Sequence, residues 1–109
     1  MKKAIEALRA FRDARDWGQF HDPKNLAVAL SVEAAELNEV FLWMTTEASA
    51  EADLGRVKEE LADVLAYALL LADTFKLDPE EIVLQKIRKN EEKYPVEKSR
   101  GKSTKYNQL

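Results

Sequence analysis

Four acidic residues in the chain are spaced for metal chemistry. Glu33 and Glu36 lie three residues apart, as do Glu60 and Asp63, in two segments with helical hydrophobic periodicity. Residues three apart are neighbours on a helix, and a helical hairpin would bring the two pairs together. Charges about 5 Å apart at an effective dielectric near 20 repel by roughly 3 kcal/mol, so such a cluster requires protons or a cation. All-oxygen ligands favour a hard divalent ion, Mg²⁺ or Mn²⁺.

Two other interpretations of these acids stay open at this point. They can be solvated positions on amphipathic helices, or they can form the metal-stabilised core of a non-catalytic helical-bundle interaction module. A di-iron bundle is excluded, because it would need Glu-x-x-His pairs and the one histidine, His21, lies outside both acidic pairs. The absence of cysteine removes thiolate metal sites, cysteine nucleophiles and disulfides.

Magnesium held by a few carboxylates commonly serves phosphoryl chemistry, which also needs cations and aromatic rings. One strip of the last predicted helix could contact phosphate oxygens, and it consists of Lys86, Lys89, Asn90 and Lys93. Trp17, Trp43 and Tyr67 could stack on a base. The alternatives are a solvated basic face and tryptophans that belong to the core.

Hydrophobic periodicity predicts four helices, over residues 2–15, 23–44, 51–75 and 79–94. Only three glycines and three prolines interrupt the chain, which favours long helices. Asp22-Pro23 and Asp78-Pro79 are typical helix starts, and Glu81 is placed to complete a capping box. We therefore expect an all-α, four-helix-bundle-like fold whose two long central helices run antiparallel.

The composition predicts one helical domain over residues 1–94 and a basic, extended tail over residues 95–109. Hydrophobic residues make up 46% of the 109 residues and charged residues 34%, as in globular proteins. Residues 1–94 carry 13 Lys and Arg against 19 Asp and Glu, whereas residues 95–109 carry four against one. An acidic body argues against binding duplex nucleic acid, which needs a basic face.

The apolar stretches predict a cytoplasmic protein that assembles with copies of itself. Glu6 and Arg9 interrupt any secretory signal at the amino terminus, and the longest apolar stretch, residues 61–72, contains Asp63 and is too short to span a membrane. Apolar residues surround most of the second and third predicted helices. Such helices have more than one packing partner, so we expect a dimer or a dimer-of-dimers homotetramer.

The chain resembles the MazG-like all-α nucleoside triphosphate pyrophosphohydrolases, and most of all their compact dCTP pyrophosphatase branch. The resemblance lies in DWGQFHDPKNLAVALSVEAAELNEVFLW, EELADVLAYALLLAD, KIRKNEEKYP and the tail residues SRGKSTKY. It implies that Mg²⁺, or Mn²⁺, is the cofactor and that the ligands, which are also the catalytic residues, are Glu33, Glu36, Glu60 and Asp63. It assigns phosphate binding to Lys86, Asn90 and Lys93, and base contacts to Trp17, His21, Trp43 and Tyr67.

The activity implied by the resemblance is hydrolysis of a nucleoside triphosphate, expected to be dCTP or a modified dCTP, between its α- and β-phosphates. The products would be the monophosphate and pyrophosphate, and the role would be house-cleaning of the nucleotide pool. If the second helix continues through Trp43, that ring lies about 10 Å beyond Glu36, whereas Tyr67 lies about 6 Å beyond Asp63 in the opposite direction. One hairpin could not close both rings on one base, so the geometry predicts a pocket shared between chains.

Overall fold

The computed structural model describes all residues, 1–109, and its regular structure is entirely helical, as predicted. The five α-helices are α1 (Lys2–Ala14), α2 (Pro23–Glu39), α3 (Leu54–Thr74), α4 (Pro79–Lys93) and α5 (Val96–Ser99). Short 3₁₀ turns lie at Trp17–Phe20, Ser49–Glu51 and Tyr106–Gln108. None of the helices combines the length and the apolar character needed to cross a membrane.

Aspartate side chains begin the three long helices after α1. The Asp22 carboxylate accepts the Asn25 backbone N–H at 2.8 Å, and the Asp78 carboxylate accepts the Glu81 N–H at 3.0 Å. In both helices a proline takes the first position, where no N–H is needed, and both predicted starts are confirmed. The Glu81 side chain instead accepts a hydrogen bond from Gln85, so it does not complete the predicted capping box. Helix α3 begins at Leu54 rather than at residue 51, because Asp53 provides its cap.

Helix α2 ends at Glu39, five residues before the predicted end. The next three backbone N–H groups, at residues 40–42, and that of Met44 donate to the carbonyl three residues back, as in Leu42 to Glu39 at 3.1 Å, which tightens the chain into turns. Trp43 then adopts a left-handed backbone with φ of 66°. The prediction that Trp43 continues the helix is therefore wrong, and its position cannot be counted along the α2 axis.

The chain forms two compact units, and the first, Met1–Lys76, is built on the pairing of α2 with α3. The two helices run antiparallel: Glu36, late in α2, lies beside Glu60, early in α3, whereas His21, just before α2, contacts Tyr67 later in α3. The buried apolar side chains of the protein all belong to this unit. They are Leu26, Val40, Leu69, Leu70 and Ala72.

Helix α1 packs against α3 and is tied to it by an ion pair between Arg9 and Asp73. The Arg9 guanidinium holds the pKa of the Asp73 carboxyl below its ordinary value, mainly by hydrogen bonding. A cavity of about 470 Å³ opens between the two helices. Leu65 lines this cavity and is exposed, and Leu61, four residues earlier on the same face of α3, is exposed as well. Only the carboxyl-terminal half of that face, at Leu69 and Ala72, is buried.

The second unit, Leu77–Leu109, contains α4, α5 and the chain that follows them. Helix α4 ends at Lys93, in agreement with the predicted stop at Tyr94-Pro95. The tail after it was expected to be extended, but Pro95 begins one more helical turn: the Ser99 N–H donates to the Pro95 carbonyl at 3.0 Å and the Arg100 N–H to Val96 at 3.1 Å. A helical turn needs no hydrophobic period when it is this short.

Candidate functional site

Three of the four predicted acids come together between α2 and α3. One carboxylate oxygen from each of Glu33, Glu36 and Glu60 lies within 4.8 Å of the others, and we call this group the carboxylate cluster. Glu33 and Glu60 are half-buried and Glu36 is exposed. The spacing of three residues and the antiparallel hairpin are enough to produce this convergence.

Asp63 lies one turn after Glu60 and outside the carboxylate cluster, but its charge raises the pKa of Glu60. Burial raises the pKa of Glu33 to about 7, together with Glu36, which would accept a hydrogen bond from the protonated Glu33, and with the charges of Glu36, Asp63 and Glu60. Burial and the charges of Glu36 and Asp63 also raise the pKa of Glu60, against a smaller opposing effect of Arg56. The four acids thus form one electrostatic unit that favours protons or a cation.

Two oxygens of the cluster are suited to a metal ion. Glu33 Oε2 and Glu60 Oε2 are buried and accept no hydrogen bond from the protein. Mg²⁺ bonds to carboxylate oxygens at about 2.1 Å, so oxygens that share one ion lie about 3 to 4 Å apart, and small side-chain movements would bring the cluster to that spacing. A hard divalent cation would neutralise the repulsion and satisfy both oxygens, and the donor set therefore fits Mg²⁺ or Mn²⁺.

In metal-free buffer, the melting temperature should fall as the pH rises from about 5 to about 8. The folded-state pKa of Glu33, about 7, lies above its ordinary value of 4.5, so the folded protein holds this proton more tightly than the unfolded chain. The resulting stability is complete below the unfolded pKa and is lost as the pH passes through the folded pKa. Thermal denaturation in EDTA across this range measures the effect. Glu36→Gln should flatten the slope and Glu39→Gln should not, and a slope unchanged by Glu36→Gln would contradict the assignment.

The four predicted base-contacting residues do not all meet in the chain. His21 and Tyr67 do, edge to face, with ring centroids 6.3 Å apart, and the buried His21 Nδ1 has no hydrogen-bond partner. Trp17 instead packs against Phe11 of α1, at 5.6 Å between centroids. Trp43 is 93% exposed. One chain therefore presents a His21–Tyr67 pair beside α3 and an uncovered tryptophan after α2.

The predicted phosphate-binding residues lie on α4 in the second unit. Lys86, Lys89 and Lys93 are exposed and Asn90 is half-buried. The spacing of Lys86, Asn90 and Lys93 by four and three residues puts them on one side of the helix. The Lys93 ammonium also lies over the ring of Tyr106, a residue of the tail.

Two residues near these groups were missed by the sequence analysis. Arg56 precedes Glu60 by one helical turn, and its charge lowers the pKa of Glu60. The spacing of four residues could have indicated this contact from the sequence. Tyr106 could not be found in this way, because the tail has no period from which to predict a contact.

Comparison with known proteins finds similarity over residues of both units. The model of the MazG-like family matches residues 28–109. The crystal structure of a pyrophosphatase from Archaeoglobus fulgidus is similar, with a TM-score of 0.84 and 46% sequence identity, over 87% of this chain and 92% of that chain.

Two curated mammalian relatives cover almost all of the sequence. Both are called dCTP pyrophosphatase 1. The protein from Mus musculus is 41% identical and the one from Homo sapiens 39% identical, each over 111 residues that cover 96% of this chain. The chain spans 65% of the length of these two relatives. The range of the family model, residues 28–109, includes both acidic pairs.

Proposed function

This chain belongs to the MazG-like family, and we propose that it is a Mg²⁺-dependent nucleoside triphosphate pyrophosphohydrolase that acts on dCTP or a modified dCTP. The observation that carries the proposal is the carboxylate cluster with its two buried, unpartnered oxygens. The names of the similar proteins, dCTP pyrophosphatase 1 and a pyrophosphatase, support the reaction. Its biological use would be to remove unwanted deoxynucleotides from the pool.

The acids of α2 and α3 would hold the cofactor and accept the proton of the attacking water. Glu33, Glu36, Glu60 and Asp63 are the proposed ligands, with Mn²⁺ as a possible substitute for Mg²⁺. Bound there, the metal would neutralise phosphate charge and lower the pKa of water. One of the four carboxylates would take a proton from the attacking water. The oxygen of that water bonds to phosphorus, the bond between the α- and β-phosphates breaks, and pyrophosphate leaves.

The rest of the substrate would be held by aromatic and cationic side chains. We assign the base to Trp17, His21, Trp43 and Tyr67, and the phosphates to Lys86, Asn90 and Lys93. The exposure of Trp43 and the unpartnered His21 Nδ1 support base binding, because a base could stack on the exposed ring and could hydrogen-bond to the nitrogen. The lysines are exposed, so their ammonium groups can reach the phosphate oxygens of a ligand.

A homodimer, or a tetramer built from two dimers, is the proposed assembly. Large apolar side chains lie exposed on α2, α3 and α4, and a second copy would remove them from water. They include Val28 and Val32 on α2, Leu61 and Leu65 on α3, and Val83 and Ile87 on α4.

The composition supports two further parts of the proposal. The acidic charge of residues 1–94 argues against duplex nucleic acid as a partner, and the lack of cysteine is consistent with the cytoplasm.

With Mg²⁺ present, dCTP labelled at the α-phosphate should yield dCMP, and the other product should be pyrophosphate. Attack between the α- and β-phosphates accounts for both products, and chromatography of the quenched reaction measures them. A panel of dNTPs under the same conditions gives the base preference. Formation of dCDP and orthophosphate would mean attack at the γ-phosphorus and would overturn the assigned reaction.

A further inference from the structure

The last residue of α4 contacts an aromatic ring from the end of the chain. The Lys93 ammonium lies over the Tyr106 ring, 4.8 Å from its centroid. This distance is within the range of a cation–π interaction. The ion pairs of the protein are Arg9–Asp73 and Arg12–Asp13, so no carboxylate lies within 4.0 Å of the Lys93 ammonium. The ring is thus the partner that orients this lysine.

The segment between the two residues is folded so that it can return to α4. After α5, Gly101 adopts a left-handed backbone with φ of 76°, a conformation that favours glycine, and the Lys102 N–H donates to the Ser99 carbonyl at 3.0 Å. A 3₁₀ turn at Tyr106–Gln108 is closed by the Gln108 N–H, which donates to Lys105 at 2.9 Å. These turns give the tail a defined path, which places Tyr106 against Lys93.

Tyr94 also contacts the Tyr106 ring. The two rings meet edge to face, with centroids 6.1 Å apart and an interplanar angle of 81°. The Tyr94 N–H donates to the Asn90 carbonyl at 2.8 Å, which fixes Tyr94 against the last turn of α4. Contacts thus connect Asn90, Tyr94, Tyr106 and Lys93, and two of these residues are assigned to phosphate binding above.

We propose that Tyr106 is a positioning residue that orients the Lys93 ammonium toward the phosphates of the substrate. The inference rests on the proposed function in its assignment of Lys93 to those phosphates. A lysine side chain has four rotatable bonds, and their ordering opposes binding. The face of a ring restricts this motion without neutralising the charge, whereas a carboxylate partner would neutralise it. The ammonium keeps N–H donors free for phosphate oxygens.

The experiment compares Tyr106→Leu, Tyr106→Phe and a control, Asn107→Ala, which changes an exposed neighbour. In wild type, the ring should shift the Lys93 side-chain resonances upfield in spectra of protein with ¹³C-labelled lysine, with assignment from Lys93→Arg. Tyr106→Leu should abolish this shift and raise KM for dCTP about threefold to fivefold, the loss expected for one exposed cation–π contact, with little change in kcat. Inhibition by dCMP, which lacks the β- and γ-phosphates, should stay the same.

The ring is retained in Tyr106→Phe, so this variant should restore both the upfield shift and a low KM. A Lys93 resonance that is the same in wild type and Tyr106→Leu would overturn the proposal, as would a lost shift with unchanged KM. Calorimetry of pyrophosphate binding in Mg²⁺ separates the two proposals. If no dNTP is hydrolysed but Tyr106→Leu still weakens pyrophosphate binding threefold to fivefold, the proposed function fails and the role of Tyr106 is supported.

Discussion

Millimolar Mg²⁺ should raise the melting temperature by roughly 10 °C or more over that in EDTA, if its concentration exceeds Kd by about a hundredfold. A ligand that binds only the folded state stabilises it by RT ln(1 + [L]/Kd), which is about 2.7 kcal/mol at that excess. The carboxylate cluster exists only when α2 and α3 are paired, so the unfolded chain has no equivalent site. Thermal denaturation with EDTA and with Mg²⁺, at one pH, measures the difference.

Glu36→Gln should raise the melting temperature measured in EDTA and lower the melting temperature measured with Mg²⁺. It removes the charge that acts on both Glu33 and Glu60, so the metal-free protein should melt higher than wild type near pH 8. It also removes a ligand, so most of the increase with Mg²⁺ should disappear. Glu39→Gln is the matched control, because Glu39 is an exposed glutamate of the same helix outside the cluster. Identical wild-type curves with and without Mg²⁺ would count heavily against a metal site.

Helix starts could be predicted from the sequence because they depend on adjacent residues. Asp22-Pro23 and Asp78-Pro79 each supply a side-chain acceptor and a residue that needs no N–H, within two positions of the helix start. The end of α2 has no such signal. No glycine or proline follows Glu39 for more than ten residues, and the chain leaves the helix through tightened turns and a left-handed Trp43. The hydrophobic periodicity continues past Glu39, so it overestimates the length of the helix.

Contacts within the site were predictable where helix geometry fixes them. The convergence of Glu33, Glu36 and Glu60 follows from their spacing and from one antiparallel pairing. The separation of Asp63 from them does not, because it depends on how far each side chain reaches. Contacts made by residues outside the long helices, such as His21 with Tyr67, depend on the path of a connector, which periodicity does not describe.

Two inactive variants, Asp63→Asn and Trp43→Ala, should recover activity when they are unfolded and refolded together. His21 and Tyr67 meet toward the amino-terminal end of α2, whereas Trp43 follows the turns after its carboxyl-terminal end, so the rings belong to opposite ends of this helix. Trp43 is also 93% exposed in its own chain. We therefore expect the partner in a dimer to supply the tryptophan that completes each base pocket.

Counting sites gives the size of the recovery. In a dimer of one Asp63→Asn chain and one Trp43→Ala chain, one shared site carries both changes and the other carries neither. Heterodimers purified through two different affinity tags should therefore show about half of wild-type activity, measured as pyrophosphate release. Asp63→Asn mixed with Glu36→Gln is the control, because α2 and α3 of one hairpin supply both acids and neither site is restored. Purified heterodimers of the first pair without activity would mean that each chain completes its own pocket and that Trp43 must turn toward its own carboxylate cluster.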